Sequence, residues 1–159
     1  MLILKLLILV TVANGTPVII KKLLDQDLDL ALDGGLNFFD GRRLFGPSKT
    51  VRGVVSAVVA TTLCAMLMDF EWFIGIVIGS VSMAGDLFSS FIKRRLKMPP
   101  SSMALGLDQV PESLLPLLAV QPLLKLSVMD IAAVVVIFSV GGLAISRILY
   151  KLNIRDRPY

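Results

Sequence analysis

Five long apolar runs constrain this chain more than any other feature of its sequence. They cover Leu2 to Ile20, Val54 to Met68, Trp72 to about Ile92, about Val110 to Leu124, and Val128 to Tyr150. A helix needs about 20 apolar residues to cross a bilayer, where the backbone must satisfy its own hydrogen bonds. With 55% of its 159 residues hydrophobic, the chain is more apolar than a typical soluble domain. We therefore predict one all-α integral membrane domain over residues 1–159, with about five transmembrane helices.

The basic residues predict which side of the membrane each connection occupies. Fourteen of the sixteen Lys and Arg residues lie in the first connection, in the third connection or near the carboxyl terminus. Because basic residues concentrate in cytoplasmic segments, we expect these regions to be cytoplasmic and the amino terminus to be outside. The chain is thus predicted to be a multi-pass protein of the cell membrane.

Two residue types exclude several kinds of chemistry. The chain has no histidine, which excludes histidine-ligated metals, histidine general bases and Ser-His-Asp triads within it. Its single cysteine, Cys64, excludes a disulfide framework within the chain. Any catalysis must therefore use carboxylates, hydroxyls and basic groups.

Helix-breaking residues interrupt two of the runs. The fourth contains Pro111, Pro116 and Pro122, so we expect it to be kinked or unwound at its start. The first contains Asn14-Gly15-Thr16-Pro17, which predicts a kink with a local hydrogen bond or, alternatively, the polar wall of a head-group pocket.

The third run ends in a polar stripe. On a helix of 100° per residue, one side holds Asp86, Ser89, Ser90, Lys93 and Lys97. A carboxylate at the inner end of an apolar span is costly unless it has a partner or a cation. A second acid, Asp108, follows a short loop at the start of the fourth run. Alone, Asp108 is best interpreted as a helix cap, but Asp86 and Asp108 at one membrane depth indicate an Mg²⁺ site for a polyphosphate.

The first connection, residues 21–52, holds two further patterns. Asp40-Gly41 stands between two partly apolar segments and predicts a small cytoplasmic β-hairpin. The segment Gly46-Pro47-Ser48-Lys49-Thr50-Val51-Arg52-Gly53 then leads into the second run. Its Lys49 and Arg52 can face an anion, although anchoring at the membrane interface explains them equally well.

Together these segments resemble the archaeal CDP-archaeol synthase family, which is related to the bacterial CDP-diacylglycerol synthases. The matching segments, in the family's order, are residues 14–17, 40–53, 85–95, 106–109 and 156–159. The resemblance implies an Mg²⁺-dependent nucleotidyltransferase that transfers CMP from CTP to 2,3-di-O-geranylgeranylglycerol 1-phosphate, giving CDP-archaeol and pyrophosphate. Its expected partners are CTP, an isoprenoid-ether glycerol phosphate lipid and the bilayer, with no nucleic acid. The active site is expected at the cytoplasmic face.

The resemblance also implies roles for individual residues. It assigns the metal to Asp86 and Asp108, and it gives catalytic roles to Asp86, Asp108 and Lys93. The residues expected to bind the nucleotide are Arg43, Lys49, Thr50, Arg52, Ser89, Ser90, Lys93 and Arg94. The bacterial His-Gly-Gly element is absent and Gln109 stands where the bacterial proteins have arginine, so the number of metal ions stays open.

Two other functions remain open on the residues themselves. A small transporter or channel would use Asp86 as an intramembrane ion or proton site, although the outer parts of the third and fifth runs hold few polar residues. A non-catalytic adaptor would use the basic loops to bind anionic lipid. The glycine-rich helix faces could also pack between protomers of a homo-oligomer.

Overall fold

The computed structural model describes residues 1–24, 30–99, 102, 104 and 106–151, with side chains described up to residue 144. It contains α1 (Leu2–Leu23), α2 (Val51–Leu67), α3 (Trp72–Arg95), α4 (Gln109–Leu124) and α5 (Val128–Lys151). Each helix coincides with one predicted apolar run, so the all-α prediction is confirmed. The matched tail segment 156–159 lies outside the described residues.

Two of the described helices, α1 and α3, are long and apolar enough to cross a membrane by length and composition. Helix α2 and residues 128–144 of α5 are apolar but shorter. On α2 the exposed side chains of Val55, Val59, Leu63 and Met66 recur at helical spacing, as expected of a face in contact with lipid. A count of five spans and the direction of insertion remain predictions.

Helix α3 contacts α1, α2 and α4. Glycines allow this close approach, because a Cβ on Gly75 would lie 2.5 Å from Thr62 Cα and one on Gly79 would lie 2.9 Å from Val58 Cα. The later glycine on α3, Gly79, meets the earlier residue on α2, Val58, so the two helices are antiparallel. The short connection between them predicts this arrangement. Helix α5 completes the bundle by packing against α4 and α1.

Gly85 brings α3 against the first turn of α4. A Cβ there would lie 2.5 Å from the Pro111 carbonyl oxygen and 2.9 Å from Glu112 Cα, and both neighbours are backbone. We expect Gly85→Ala to reduce the free energy of unfolding by about 1–3 kcal/mol, as overpacking does, and to slow turnover by separating α3 from α4. Thermal unfolding in detergent checks this, with Gly141→Ala as control because nothing lies within 4 Å of that Cβ position. Equal unfolding temperatures for the two variants would contradict the close contact.

The two ends of the bundle are built differently. The apolar core lies toward the starts of α1 and α3 and consists of Leu6, Leu9, Val10, Ala65, Ile74, Ile78, Leu117, Val120, Leu126, Ile131 and Val134. The other end, which we call the polar end, buries Ser89, Ser90, Lys93, Arg94, Gln109 and Ser113. Polar groups are costly to bury unless they are bonded. Their concentration at one end therefore marks the candidate site.

The β-hairpin predicted at Asp40-Gly41 is not confirmed, since the part of the chain that the structure describes contains no β-strand. The chain does reverse there, but Asn37 and Arg43 make only a single isolated antiparallel bridge. The amide that would continue the ladder, that of Gly46, donates instead to the Asp33 carboxylate at 2.9 Å. The Asp33 side chain thus binds the Gly46 amide that would otherwise donate to a paired strand.

Of the two starts predicted for α4, kinked or unwound, the unwound one does not occur. Helix α4 is helical from Gln109 rather than unwound at its start, because Pro111 falls in the first turn, where an amide N–H has no helical partner. Asp108 occupies the N-cap position, but its side chain makes no capping hydrogen bond. The helix-cap interpretation of this carboxylate is therefore wrong.

Candidate active site

Two lysine–carboxylate pairs form the core of the polar end. Lys49 Nζ lies 2.6 Å from both carboxylate oxygens of Asp86, and Lys93 Nζ lies 2.6 Å from Asp108 Oδ1. We call Lys49, Asp86, Lys93 and Asp108 the four-residue centre. Lys49 comes from the loop before α2, Asp86 and Lys93 lie two turns apart on α3, and Asp108 immediately precedes α4, so only the assembled bundle creates the centre.

Hydrogen bonds to backbone atoms hold the Lys93–Asp108 pair. Lys93 Nζ also donates to the Ser102 carbonyl at 3.0 Å, and Asp108 Oδ2 accepts from the Ala104 amide at 2.9 Å. The buried Ser89 hydroxyl lies 3.0 Å from the Gly85 carbonyl and 2.6 Å from the Leu107 carbonyl. Ser89 therefore ties the loop that carries Asp108 to α3.

The loop that leads into α2 places Lys49. The Leu32 amide donates to the Lys49 carbonyl at 2.8 Å, and the Lys49 amide donates to the Gly46 carbonyl at 3.3 Å. Gly46 has φ +98°, a conformation that favours glycine. Immediately after Lys49, Thr50 caps α2 by accepting from the Gly53 amide at 3.1 Å. Lys49 is thus fixed between a tight turn and a helix start.

Asp33 is the acid that organises this loop, and its side chain has no exposed surface. Burial acts to raise the pKa of Asp33, but hydrogen bonds from the amides of Gly46, Gly35 and Phe45, together with the charge of Arg43, outweigh it and lower the pKa. Sequence reasoning missed this residue. An available signal was Asp33-Gly34-Gly35, because an aspartate before glycines favours a side-chain turn onto the following backbone.

A cavity of about 320 Å³ opens at the polar end. Its lining consists of Arg42, Arg43, Gly46, Pro47, Arg94, Lys97 and Met98. Four of these residues are cationic and none is acidic, so the cavity, which we call the basic cavity, suits a polyanion. Arg94, which lines the cavity, directly follows Lys93 of the four-residue centre on α3.

Arg95 fastens the first loop to α3. Its Nη1 lies 2.9 Å from Asp40 Oδ1, and its Nη2 donates to the Arg43 carbonyl at 2.8 Å. Its guanidinium lies 4.8 Å from the centre of the Phe38 ring and 4.9 Å from that of Phe91. Sequence reasoning treated Arg95 only as one of the basic residues that assign the cytoplasmic side.

Glu112 is a further acid of the site that sequence reasoning did not include. It is half-buried on the first turn of α4, and the charges of all four members of the centre act on its carboxyl group. Its spacing of four residues from Asp108 was the available signal, because residues i and i+4 share a helix face.

The structure therefore separates the predicted site residues into groups. Asp86, Lys93, Asp108 and Lys49 come together, while Arg43 and Arg94 line the basic cavity. The hydroxyl groups of Thr50 and Ser89 take part in backbone hydrogen bonds. Ser90 is buried on α3, and Arg52 is half-buried on the first turn of α2.

The donor chemistry of the centre fits Mg²⁺. Asp86 and Asp108 offer hard carboxylate oxygens, and Mg²⁺ typically binds to one or two carboxylates together with substrate phosphates. No three acidic side chains among the described residues group closely enough to hold a metal by themselves. The acidic donors of the centre are the carboxylates of Asp86 and Asp108, each of which is paired with a lysine.

Comparisons with known proteins agree with this picture. A family model described as CarS-like CDP-archaeol synthase matches residues 2–159. The CDP-archaeol synthase of Pyrobaculum calidifontis is 34% identical over 153 residues, 93% of this chain and 91% of that protein. The CDP-archaeol synthase of Sulfurisphaera tokodaii is 31% identical, over 93% of this chain and 84% of that protein. A solved structure, described as an intramembrane enzyme for archaeal membrane lipids biosynthesis, matches with TM-score 0.73 and 28% identity over 88% of this chain and 89% of its own.

Proposed function

The chain belongs to the CDP-archaeol synthase family, and we propose that it catalyses cytidylyl transfer at the four-residue centre. It is a cytidylyltransferase of archaeal lipid biosynthesis, as the sequence resemblance implies. Its substrates are CTP and a lipid phosphate, 2,3-di-O-geranylgeranylglycerol 1-phosphate, and its products are CDP-archaeol and pyrophosphate. The comparisons give no support to the transporter alternative.

The observation that carries this proposal is that the polar end holds both the two lysine–carboxylate pairs and the basic cavity. Lys93 belongs to the centre and Arg94 lines the cavity, so one turn of α3 contributes to both. Nucleotidyl transfer needs phosphate groups held in line and their charge neutralised, and it needs little covalent chemistry from the protein. The cavity supplies cations for the polyphosphate, and the centre supplies carboxylates and ammonium groups for the reacting phosphates.

We assign the two substrates to two approaches. The CTP polyphosphate lies in the basic cavity, whose lining is cationic and holds no acid. The lipid phosphate reaches the centre from the bilayer, with its isoprenoid chains along the exposed apolar surfaces of the helices. The basic loops at this end favour the cytoplasmic face. The enzyme is then a multi-pass membrane protein that draws nucleotide from the cytoplasm.

The reaction is an in-line displacement. An oxygen of the lipid phosphate attacks the α-phosphorus of CTP and forms a new P–O bond, while the bond to the bridging α,β-oxygen breaks. Pyrophosphate leaves with that oxygen and its electron pair. A phosphate monoester is already an anionic nucleophile, so no protein group has to accept a proton from it. Lys49 and Lys93 stabilise the charge that develops on the transferring group.

Asp86 and Asp108 are the residues that would hold Mg²⁺. When bound, this ion supplies charge neutralisation on the nucleotide phosphates. The lysines lie 2.6 Å from these carboxylates. The ammonium groups that neutralise the acids can therefore also contact the phosphate oxygens of the substrates. Glu112 places a further carboxyl group beside this cluster.

Removing a cation from the basic cavity should weaken CTP binding. We expect Arg94→Gln to raise the KM for CTP by about tenfold or more, because hydrogen bonds to charged groups contribute about 1.5–3 kcal/mol. Lys97→Gln, an exposed residue of the same cavity, should raise it by a smaller factor without disturbing the fold. Initial rates at varied CTP and at varied lipid phosphate measure both effects.

The matched control for these variants is Lys125→Gln. Lys125 is an exposed lysine at the far end of α4, so its loss should leave both KM values unchanged. If Arg94→Gln and Lys97→Gln left the KM for CTP at the wild-type value, the basic cavity would not be the polyphosphate site.

A further inference from the structure

We propose that Asp33 is a positioning residue that sets the place of Lys49 in the four-residue centre and of Arg43 in the basic cavity. Asp33 touches neither substrate in this account and acts through the loop that it folds. The inference rests on the proposed function for its kinetic tests, and a second set of measurements is independent of turnover.

Both oxygens of the Asp33 carboxylate are fully used. Oδ1 accepts from the Gly35 amide at 3.1 Å and from Arg43 Nη2 at 2.9 Å. Oδ2 accepts from the amides of Phe45 at 3.2 Å and Gly46 at 2.9 Å. Only an ionised carboxylate offers two acceptor oxygens with no donor of its own. A neutral amide in this place would turn its NH₂ group toward two donors, either the amides of Phe45 and Gly46 or the Gly35 amide and Arg43 Nη2.

The path from Asp33 to Lys49 is short and runs through backbone bonds. Asp33 holds the Gly46 amide, and the Gly46 carbonyl accepts from the Lys49 amide at 3.3 Å. The residue before Asp33, Leu32, donates to the Lys49 carbonyl at 2.8 Å. The Lys49 carbonyl is therefore held by the residue before Asp33, and the Lys49 amide is held by Gly46, whose own amide is bound by Asp33. From this anchored backbone, Lys49 Nζ reaches Asp86 at 2.6 Å.

The path from Asp33 to the basic cavity is direct. Arg43, which Asp33 binds, and Gly46, whose amide it holds, both line that cavity. One buried carboxylate therefore fixes the wall of the polyphosphate site and the backbone of a catalytic lysine. The spacing between the bound polyphosphate and Lys49 depends on it, and misplacement of a reacting group by about 1 Å can reduce a rate about 10²-fold.

The kinetic test uses Asp33→Asn, alone and combined with Lys49→Gln. We expect Asp33→Asn to lower kcat by about tenfold to a hundredfold and to raise the KM for CTP. Because it acts through Lys49, the same substitution should lower kcat by less than about twofold in the Lys49→Gln background, a near-complete loss of additivity. Asp69→Asn is the matched control, since that carboxylate is 95% exposed at the other end of the bundle, and its kcat and KM should equal those of the wild type.

An equal loss of kcat in both backgrounds would mean that Asp33 supports the fold without placing Lys49, and it would overturn the inference. Unchanged kinetics in Asp33→Asn would overturn it as well. If Asp33→Asn does not yield folded protein, Asp33→Glu keeps the charge but moves it by one methylene group. It should show the same dependence on Lys49, with a smaller loss of kcat.

A second measurement separates this inference from the proposed function. Hydrogen–deuterium exchange of peptides that cover residues 44–50 should be faster in Asp33→Asn than in wild type, while peptides from α5 should not change. Unchanged exchange at residues 44–50 would contradict the positioning role whatever the enzyme's activity. A wild-type protein that forms no CDP-lipid, but whose loop exchange responds to Asp33→Asn, would instead contradict the proposed function alone.

Discussion

Asp86→Asn is expected to lower kcat by about 10²–10³-fold, the usual effect of removing one electrostatic group from a reaction centre. The substitution removes a carboxylate that would hold Mg²⁺ and leaves Lys49 beside a neutral amide instead of two anionic oxygens at 2.6 Å. Asp108→Asn should act in the same direction. The rate of CDP-lipid formation at saturating Mg²⁺ and saturating substrates measures both effects.

The control for the Asp86 and Asp108 substitutions is Asp69→Asn, which makes the same chemical change at an exposed position outside the site. It should keep the wild-type kcat. Near-normal turnover in folded Asp86→Asn would show that this carboxylate is not part of the reaction centre.

Lys93→Gln should lower kcat by about 10²-fold or more, because in the proposed reaction it removes the cation that would neutralise the transferring phosphate. It also leaves Asp108 without its ammonium partner at 2.6 Å, so thermal unfolding has to be measured beside activity. Lys93→Arg keeps the charge and should retain more activity than Lys93→Gln. Lys125→Gln again serves as the control outside the site.

If Lys93→Arg and Lys93→Gln had equal activity at equal unfolding temperature, charge at position 93 would not matter to the reaction. If Lys93→Gln lost activity only in proportion to its unfolded fraction, the role of Lys93 would be to balance Asp108 in the fold.

The helices were predictable from sequence because hydropathy determines them almost alone. The apolar run that starts at Trp72 gives α3, and the one that starts at Val128 gives α5. The start of α2 shows the limit of this reasoning. The apolar run begins at Val54, but the helix begins at Val51 because Thr50 caps it.

Part of the site was also predictable. Asp86 and Lys93 stand seven residues apart, and helical periodicity alone places them on one face. Their partners were not predictable as pairs, because the contact of Lys49 with Asp86 depends on how the first loop folds.

That loop resisted prediction because side chains rather than local backbone preferences determine its shape. Asp33 takes the Gly46 amide, and Arg95 binds the Arg43 carbonyl from α3, 52 residues along the chain. The Asp40-Gly41 pair predicts a hairpin because it is a local turn signal. The long-range bonds that shape the loop leave no such local pattern in the sequence. Long-range side-chain to backbone bonds are the information that a single sequence does not expose.

The most direct test of the central claim is product formation by purified protein in detergent. The reaction contains CTP, the geranylgeranyl-ether glycerol phosphate and Mg²⁺, and mass spectrometry detects the CDP-lipid while pyrophosphate release is followed. We predict CDP-lipid and pyrophosphate in equal amounts only when both substrates are present, with loss of both products in EDTA and in Asp86→Asn but not in Asp69→Asn. Wild-type protein that is folded but forms no CDP-lipid, or Asp86→Asn that forms it at the wild-type rate, would contradict the claim that the four-residue centre carries out cytidylyl transfer.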